Sequence, residues 1–179
     1  MKIYAKCRLQ LSLSAVIISA QQSYPLPADW EWSVAVGLKE PKADWPKDKD
    51  ENVPGVYPWG KTWPPPNDAG NYAGDDTADE NWPRIWKVIE GRRDGFPRTS
   101  PVGSFPSNQF GLYDMGGNVW QWVEDDYDGI RGNRTLRGGS WTDLVPRFLL
   151  SSFRLDFPAA ERFDYAIGFR VVLAEDASR

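Results

Sequence analysis

The stretch from Gly111 to Trp122 concentrates oxygen-bearing side chains, glycines and large aromatic rings within one short segment. Asp114, Asn118 and Gln121 could direct oxygens to one point if the backbone between them curls, and the neighbouring glycines permit that curl. Carboxylate, amide and carbonyl oxygens on irregular backbone are the ligands of hard cations such as calcium. The alternative is a glycine-rich turn between two strands, in which Asp114 and Asn118 bond to their own backbone.

The residue types that are missing limit the possible chemistry. The sequence contains no histidine and a single cysteine, Cys7. This composition excludes Ser-His-Asp and Cys-His catalysis, histidine-ligated zinc or iron, four-cysteine zinc sites and intrachain disulfides. Any bound metal should therefore have oxygen ligands. The formal net charge of −4 and the scattered basic residues give no electrostatic footprint for nucleic acid.

Short elements in a single loop-rich domain must position these residues. The 179 residues include 10 Trp, 15 Pro and 16 Gly, a composition that favours aromatic packing over a helical bundle. A helix is predicted over residues 25–37, with acidic residues near its start and Gly37 at its end. Trp30, Val34 and Leu38 should share one of its faces.

Three later segments have the composition of strands. They are residues 134–141, which end in a glycine bend, 149–154 and 165–173. Residues 86–89 are predicted to form a strand or a sheet edge, and residues 39–55 a solvated loop.

Paired carboxylates follow the glycine-rich stretch. Glu124, Asp125 and Asp126 could serve acid–base chemistry, but an exposed turn over residues 123–127 is the expected structure, since no apolar pocket is evident.

Residues 1–22 have a basic start and a short apolar run, typical of a secretory signal or of a remnant segment. The signal interpretation implies a secreted or periplasmic protein, and the run is too short to span a membrane. The folded domain is predicted over residues 23–174, followed by a frayed tail at 175–179.

Ordered blocks of the sequence resemble the formylglycine-generating enzyme (sulfatase-modifying factor) family over residues 24–173. The resemblance implies the family's compact, irregular α+β fold, which is related to C-type lectins and short in regular secondary structure. The blocks are Leu26-Pro27 with Glu31-Trp32, Tyr57 to Gly60, Gly70 to Tyr72, Asp94 to Phe96, Pro101 to Pro106, Gly111 to Trp122, Leu136 to Trp141 and Ile167 to Arg170.

The resemblance also implies two structural calcium ions. The ligands of the first would be the Asn71 and Asp94 side chains and the Tyr72 and Phe96 carbonyls. Those of the second would be the Asp114 and Gln121 side chains and the Gly117 and Val119 carbonyls. Because family members commonly have a glutamate where Gln121 stands, the second site is expected to be weaker or empty.

The catalytic residues of the family are not carried over. Its oxidases bind copper through two cysteines just beyond the Leu136 to Trp141 block, where this chain has Asp143 and Phe148. Copper is therefore not expected, because oxygen ligands do not select Cu(I). Trp120 and Ser140 match residues that line the family's substrate cleft. The related iron-dependent sulfoxide synthases need three histidines, which this chain lacks.

Three functions remain open at this stage. The first is a non-catalytic module that binds a protein or peptide through residues 142–165, a segment rich in aromatic residues and arginines. Variable proteins of diversity-generating retroelements offer an analogy, since they display ligands from this region of the same fold. The second is a formylglycine-generating oxidase acting on a peptidyl cysteine. The third is an inactive fragment, because the amino-terminal part of the family domain has little counterpart here.

Overall fold

One α-helix and a mixed five-stranded sheet are the regular elements of the computed structural model. It describes residues 3–5, 24–41, 43–79, 81–83, 85–161 and 165–173. The strand order is β1-β5-β2-β3-β4, in which β2 and β5 run parallel and the other neighbours antiparallel. The elements are α1 (Asp29–Val36), β1 (Ile3–Ala5), β2 (Trp120–Asp126), β3 (Asn133–Arg137), β4 (Leu155–Pro158) and β5 (Ile167–Val172).

The family's α+β fold, short in regular structure, is confirmed. Long coil segments connect the elements, and two short 3₁₀ helices, Pro46–Lys49 and Pro146–Leu149, lie within them. Among the described residues, no helix is long and apolar enough to cross a membrane. The predicted signal segment 1–22 lies outside the described residues except for Ile3–Ala5, which pairs with β5.

Helix α1 confirms the predicted helix and its glycine stop. Gly37 adopts the left-handed conformation at the carboxyl end, where its amide donates to the Val34 carbonyl. The predicted face of Trp30, Val34 and Leu38 is divided, because Trp30 and Val34 are exposed, whereas Leu38 lies beyond the helix and is buried. Trp32 and Ala35 instead turn into the core with Met115 and Val123.

The predicted turn over residues 123–127 is wrong, because most of this segment belongs to β2. Val123 is fully buried, and the Asp125 carboxylate accepts a hydrogen bond from the Asp29 amide at 2.6 Å. A carboxylate at a helix amino terminus satisfies an unpaired amide and complements the helix dipole. Asp125 therefore has a structural role rather than an acid–base one.

The other strand predictions have mixed outcomes. Strands β3 and β5 confirm the predictions over 134–141 and 165–173, with bends at Gly138 and Gly139, both at positive φ. The strand predicted over 149–154 is wrong, because its apolar side chains enter the core from a 3₁₀ helix and the turn after it. Residues 86–89 form no strand; Ile89 makes an isolated bridge to Gly74.

Candidate functional site

The structure brings together the four residues predicted to bind the first calcium ion, in what we call the first loop (residues 70–72 and 92–96). The Asp94 carboxylate accepts hydrogen bonds from the amides of Tyr72 and Phe96, both at 3.0 Å. The Asn71 side chain donates to the Arg98 carbonyl at 2.6 Å. The other side-chain atom of Asn71, Oδ1, is buried and has no hydrogen-bond partner in the described part of the chain.

Arg92, which the sequence did not single out, lies in the middle of the first loop. Its Nη1 is 2.5 Å from the Asp94 carboxylate and 3.3 Å from the Tyr72 carbonyl, and its Nη2 donates to the Gly70 carbonyl. Both charged side chains are almost fully buried, with 2% of Arg92 and 0% of Asp94 exposed. The first loop therefore contains an internal cation that contacts two of the four predicted ligands.

The second loop, residues 111–121, also contacts a buried arginine, Arg170 of β5. Gln121 Oε1 accepts from Trp32 Nε1 at 2.9 Å and from Arg170 Nε at 2.6 Å. Arg170 Nη2 donates to the Asp114 carbonyl at 2.9 Å, and the Gln121 amide group donates to the same carbonyl at 2.8 Å. The Asp114 carboxylate accepts from the Gly103 amide at 2.9 Å.

The backbone of the second loop curls as its glycines suggested. Asp114, Gly117 and Asn118 all have positive φ. The Asn118 side chain bonds to the amide and carbonyl of Ser100, both at 3.0 Å, and so fixes the neighbouring segment. The turn interpretation predicted that Asn118 bonds to the backbone of its own turn. Its side chain instead bonds to backbone 18 residues away.

The charges in the second loop are poorly compensated. Burial lowers the pKa of Arg170 to about 10, although the Asp114 carboxylate opposes that shift. Burial likewise raises the pKa of Asp114, which the Gly103 amide and Arg170 only partly offset. The oxygen of Gln121 that a metal would need already has two donors.

Neither loop offers a calcium ion a suitable set of oxygens while Arg92 and Arg170 donate hydrogen bonds to those oxygens. Calcium takes six to eight oxygens, and three of the available lone pairs on Asp94 already accept from nitrogen donors. The described residues contain no group of three or more acidic or cysteine side chains placed to hold a metal. The buried Asn71 Oδ1 is the one observation in the first loop that favours a metal. Calcium binding at both loops stays a prediction of the sequence.

Asp143 stands where the resemblance places a copper ligand, and it forms a buried polar cluster with the two predicted cleft residues. Its carboxylate accepts from the Ser140 hydroxyl at 2.6 Å, from the Ser140 amide at 2.9 Å and from the Trp120 side chain. Burial raises the pKa of Asp143, and these hydrogen bonds oppose the increase. Ser140 and Trp120 are themselves buried.

Phe148, where the resemblance places the second copper ligand, packs against Phe153 with the ring centroids 5.1 Å apart. The pair of positions thus offers one carboxylate and one hydrocarbon ring, neither of which binds Cu(I). The Ser140 hydroxyl donates to Asp143, but no histidine is available to act as a base. A cavity of about 380 Å³ lies elsewhere, beside Trp59, Phe105 and Asp114.

In the segment predicted to bind a partner, residues 142–165, most of the described aromatic side chains pack inward. Phe148 and Phe153 belong to the core, and Phe157 packs against Trp122 at 5.9 Å. Phe163 lies outside the described residues. Tyr165 remains at the surface, 47% exposed.

Tyr165 ends a continuous series of aromatic rings, which we call the aromatic row. The centroids of Trp86 and Trp82 are 5.1 Å apart, those of Trp82 and Trp141 5.8 Å, and those of Trp141 and Tyr165 6.2 Å. Trp86, at the other end, is 46% exposed. No sequence pattern groups these residues, because 79 positions separate Trp86 from Tyr165 along the chain.

A buried ionic cluster around Asp29 was also missed by the sequence. Asp29 contacts Lys49 at 2.6 Å, Arg154 at 2.9 Å and Arg137. Arg154 in turn forms a two-pronged contact with Glu40, at 2.5 and 2.8 Å. The prediction of a solvated loop over 39–55 is therefore wrong in part, because Lys49 and Glu40 tie that loop to the core.

Comparison with known proteins agrees with this geometry. The family model described as "Sulfatase-modifying factor enzyme 1-like domain" matches residues 2–175. The chain belongs to this family. It is 33% identical over 127 residues to the "Inactive C-alpha-formylglycine-generating enzyme 2" of Bos taurus, covering 68% of this chain and 33% of that relative. It is 32% identical over 106 residues to the formylglycine-generating enzyme of Mus musculus, covering 59% of this chain and 23% of that enzyme.

A solved structure of PvdO from Pseudomonas aeruginosa has the same fold. It superposes with a TM-score of 0.53 at 24% identity, covering 84% of this chain and 52% of PvdO. This sulfatase-modifying-factor domain therefore spans a third or less of the two enzyme-family relatives and about half of PvdO.

Proposed function

We propose that this sulfatase-modifying-factor domain is a non-catalytic module that binds a protein or peptide. The observation that carries the proposal is that this chain has no cysteine after Cys7 and has Asp143 and Phe148 where the resemblance places the copper-binding cysteines of the family's oxidases. Cys7, far from both positions in the sequence, is the single thiol of the chain. Thiolate ligands are what select Cu(I), so the redox centre has no counterpart here.

The contacts of these two residues support a structural role at both positions. Asp143 accepts hydrogen bonds from Ser140, and Phe148 contributes to the core beside Phe153. Both side chains stabilise the fold, Asp143 beside Ser140 and Phe148 beside the core. The mammalian relative whose name describes it as inactive shows that non-catalytic members of the family exist.

The aromatic row is the surface that best suits a bound partner. Its two ends, Trp86 and Tyr165, are nearly half exposed, while Trp82 and Trp141 between them are buried and fix the geometry. Exposed aromatic side chains on a rigid base are typical of the residues that contribute most to protein interfaces. Arg98 lies over the Trp141 ring at 5.2 Å and pairs with Asp79 at 2.8 Å, so it helps to hold the base of the row in place.

The non-catalytic part of the proposal is tested with a cysteine-containing peptide, Cu(I) and oxygen. The full chain and a Cys7→Ser variant are incubated with the peptide, and conversion of the cysteine to formylglycine is followed by mass spectrometry. We expect no conversion above that of copper alone with either protein. Copper-dependent conversion by the wild-type chain would support the alternative, a formylglycine-generating oxidase, and its loss in Cys7→Ser would identify the thiol used.

The binding part is tested by selecting peptides from a displayed random library on the full chain. Selected peptides are then titrated against Trp86→Ser and against a matched control, Trp30→Ser, since Trp30 is a similarly exposed tryptophan on α1. We expect Trp86→Ser to weaken binding by more than about tenfold and the control to leave it unchanged. Equal losses in the two variants, or no enriched peptide, would contradict binding at the aromatic row.

A further inference from the structure

We infer that the guanidinium of Arg92 takes the place of calcium in the first loop, so that an internal cation holds this part of the fold. The inference rests on the first loop alone and is independent of the proposed function. It has two consequences. The wild-type chain does not bind calcium in the first loop, and a variant without the Arg92 charge is stabilised by calcium there.

The first step concerns charge. The Asp94 side chain is completely buried, and a buried carboxylate is stable only when a cation or several hydrogen bonds compensate it. Arg92 supplies the charge at 2.5 Å, and the amides of Tyr72 and Phe96 supply two further hydrogen bonds. The carboxylate is thereby neutralised without any ion from solution.

The second step concerns the backbone oxygens. Carbonyls that converge on one point repel one another unless a cation lies between them. The Gly70 and Tyr72 carbonyls both accept from Arg92, whose flat guanidinium can reach several acceptors at once. Arg92 also lies over the Tyr72 ring, with its central carbon 5.2 Å from the ring centroid. One arginine thus contacts two of the four oxygens that the resemblance assigns to a metal, those of Asp94 and Tyr72, together with the neighbouring Gly70 carbonyl.

The third step concerns space and repulsion. Arg92 Nη1 is 2.5 Å from the Asp94 carboxylate, and a calcium ion bound to that carboxylate would lie at a similar distance. The arginine nitrogen therefore takes the position that the ion would need. A divalent ion bound to the same carboxylate would lie next to a buried positive charge, where repulsion is weakly screened. Calcium and the observed Arg92 conformation therefore exclude each other.

The chain provides a matched pair of variants for the test. Arg92→Gln removes the buried charge, whereas Arg93→Gln removes the adjacent one, whose side chain is 68% exposed and 3.8 Å from Asp75. Thermal unfolding of the full chain is measured for both variants and the wild type, each in excess chelator and in millimolar calcium.

We expect the wild type and Arg93→Gln to have the same midpoint in chelator and in calcium. Arg92→Gln should unfold roughly 10 °C lower in chelator. Calcium should then raise its midpoint by several degrees, because the emptied loop becomes a site that only the folded chain offers. A calcium-dependent rise in the wild type that disappears in Asp94→Asn would overturn the inference, as would an Arg92→Gln variant that folds normally and does not respond to calcium.

A second measurement needs no variant, in case Arg92→Gln does not fold. The ¹⁵N-labelled wild-type chain is titrated with calcium while the amide signals of Gly95 and Phe96 are followed by NMR. We expect these signals to stay in place at millimolar calcium. Saturable movement of both signals would place a calcium ion in the first loop and overturn the inference.

Discussion

The first loop and the Asp29 cluster each compensate a buried carboxylate with arginine. They differ in how far apart the paired residues lie along the chain. In the first loop, Arg92 is only two residues from Asp94 and about twenty from Gly70 and Tyr72. In the cluster, Asp29 contacts Arg137 and Arg154, which are 108 and 125 residues away. In both places a buried carboxylate is neutralised by the chain's own arginines.

The difference between the two regions lies in what each neutralised carboxylate connects. The first loop joins neighbouring coil segments, so its effect is local. The cluster joins α1 to β3, to the segment before β4 and, through Lys49, to the first 3₁₀ helix. We therefore expect damage to the cluster to affect the whole fold and damage to the first loop to be smaller.

The largest expected effect follows from Asp29→Asn. Three cations would lose their shared carboxylate in a buried setting, which should cost at least about 3–5 kcal/mol of unfolding free energy. Urea unfolding measures this loss, and Asp48→Asn, at an exposed position of the nearby 3₁₀ helix, is the control. A loss as small as that of the control would contradict the role of the cluster.

The pH dependence of stability should report the same cluster. Burial alone would raise the pKa of Asp29, but Arg137 and Arg154 outweigh it and hold that pKa well below its usual value. Its stabilising effect is therefore complete above the unfolded-state pKa of about 4 and is lost as the pH falls below that value. The difference in unfolding free energy between wild type and Asp29→Asn should therefore shrink steadily from pH 4 to pH 2. A constant difference over that range would show that Asp29 acts by another route.

Arg92 and Asp94 should show strong coupling in a double-mutant cycle. Arg92→Gln leaves an unpaired buried carboxylate, whereas Arg92→Gln with Asp94→Asn leaves two neutral side chains. The double variant should lose about 0.5–3 kcal/mol less unfolding free energy than the sum of the losses in the two single variants. Urea unfolding in chelator measures all four corners of the cycle. Additive losses would mean that the two side chains do not act as a pair.

The smallest effect is expected at the surface pair of Arg147 and Glu51. These side chains are 2.5 Å apart, but water reaches both of them. Arg147→Gln should change the unfolding free energy by less than about 1 kcal/mol, because exposed pairs contribute little. The same urea measurement checks it, and a loss comparable to that of Arg92→Gln would remove the distinction between buried and exposed pairs.

The sequence predicted the features that depend on local pattern. Helix α1, with Gly37 at its end, and strands β3 and β5 followed from spacing and composition. The ordered blocks indicated the family, and the missing cysteines indicated the altered positions Asp143 and Phe148. Each of these signals lies within a few consecutive residues.

The features that the sequence missed depend on contacts between distant segments. Nothing near Asp29 indicates that Arg137 and Arg154 will reach it, and the aromatic row joins rings from three separate loops. The strand predicted over residues 149–154 is wrong because tertiary packing, rather than strand alternation, places Leu149, Leu150 and Phe153 in the core. Arg92 was a local signal that could have been used. An arginine two residues before a predicted metal ligand places a positive charge where the metal ion would repel it.

The central claim is that internal cations hold this scaffold, so that neither copper nor calcium should be needed to stabilise it. The most direct test is thermal unfolding of the full wild-type chain in chelator, in excess calcium and in Cu(I). A metal that binds only the folded chain at about 100 times its dissociation constant would add roughly 2.7 kcal/mol and raise the midpoint by several degrees. We predict one cooperative transition with the same midpoint under all three conditions. A higher midpoint with either metal would contradict the claim.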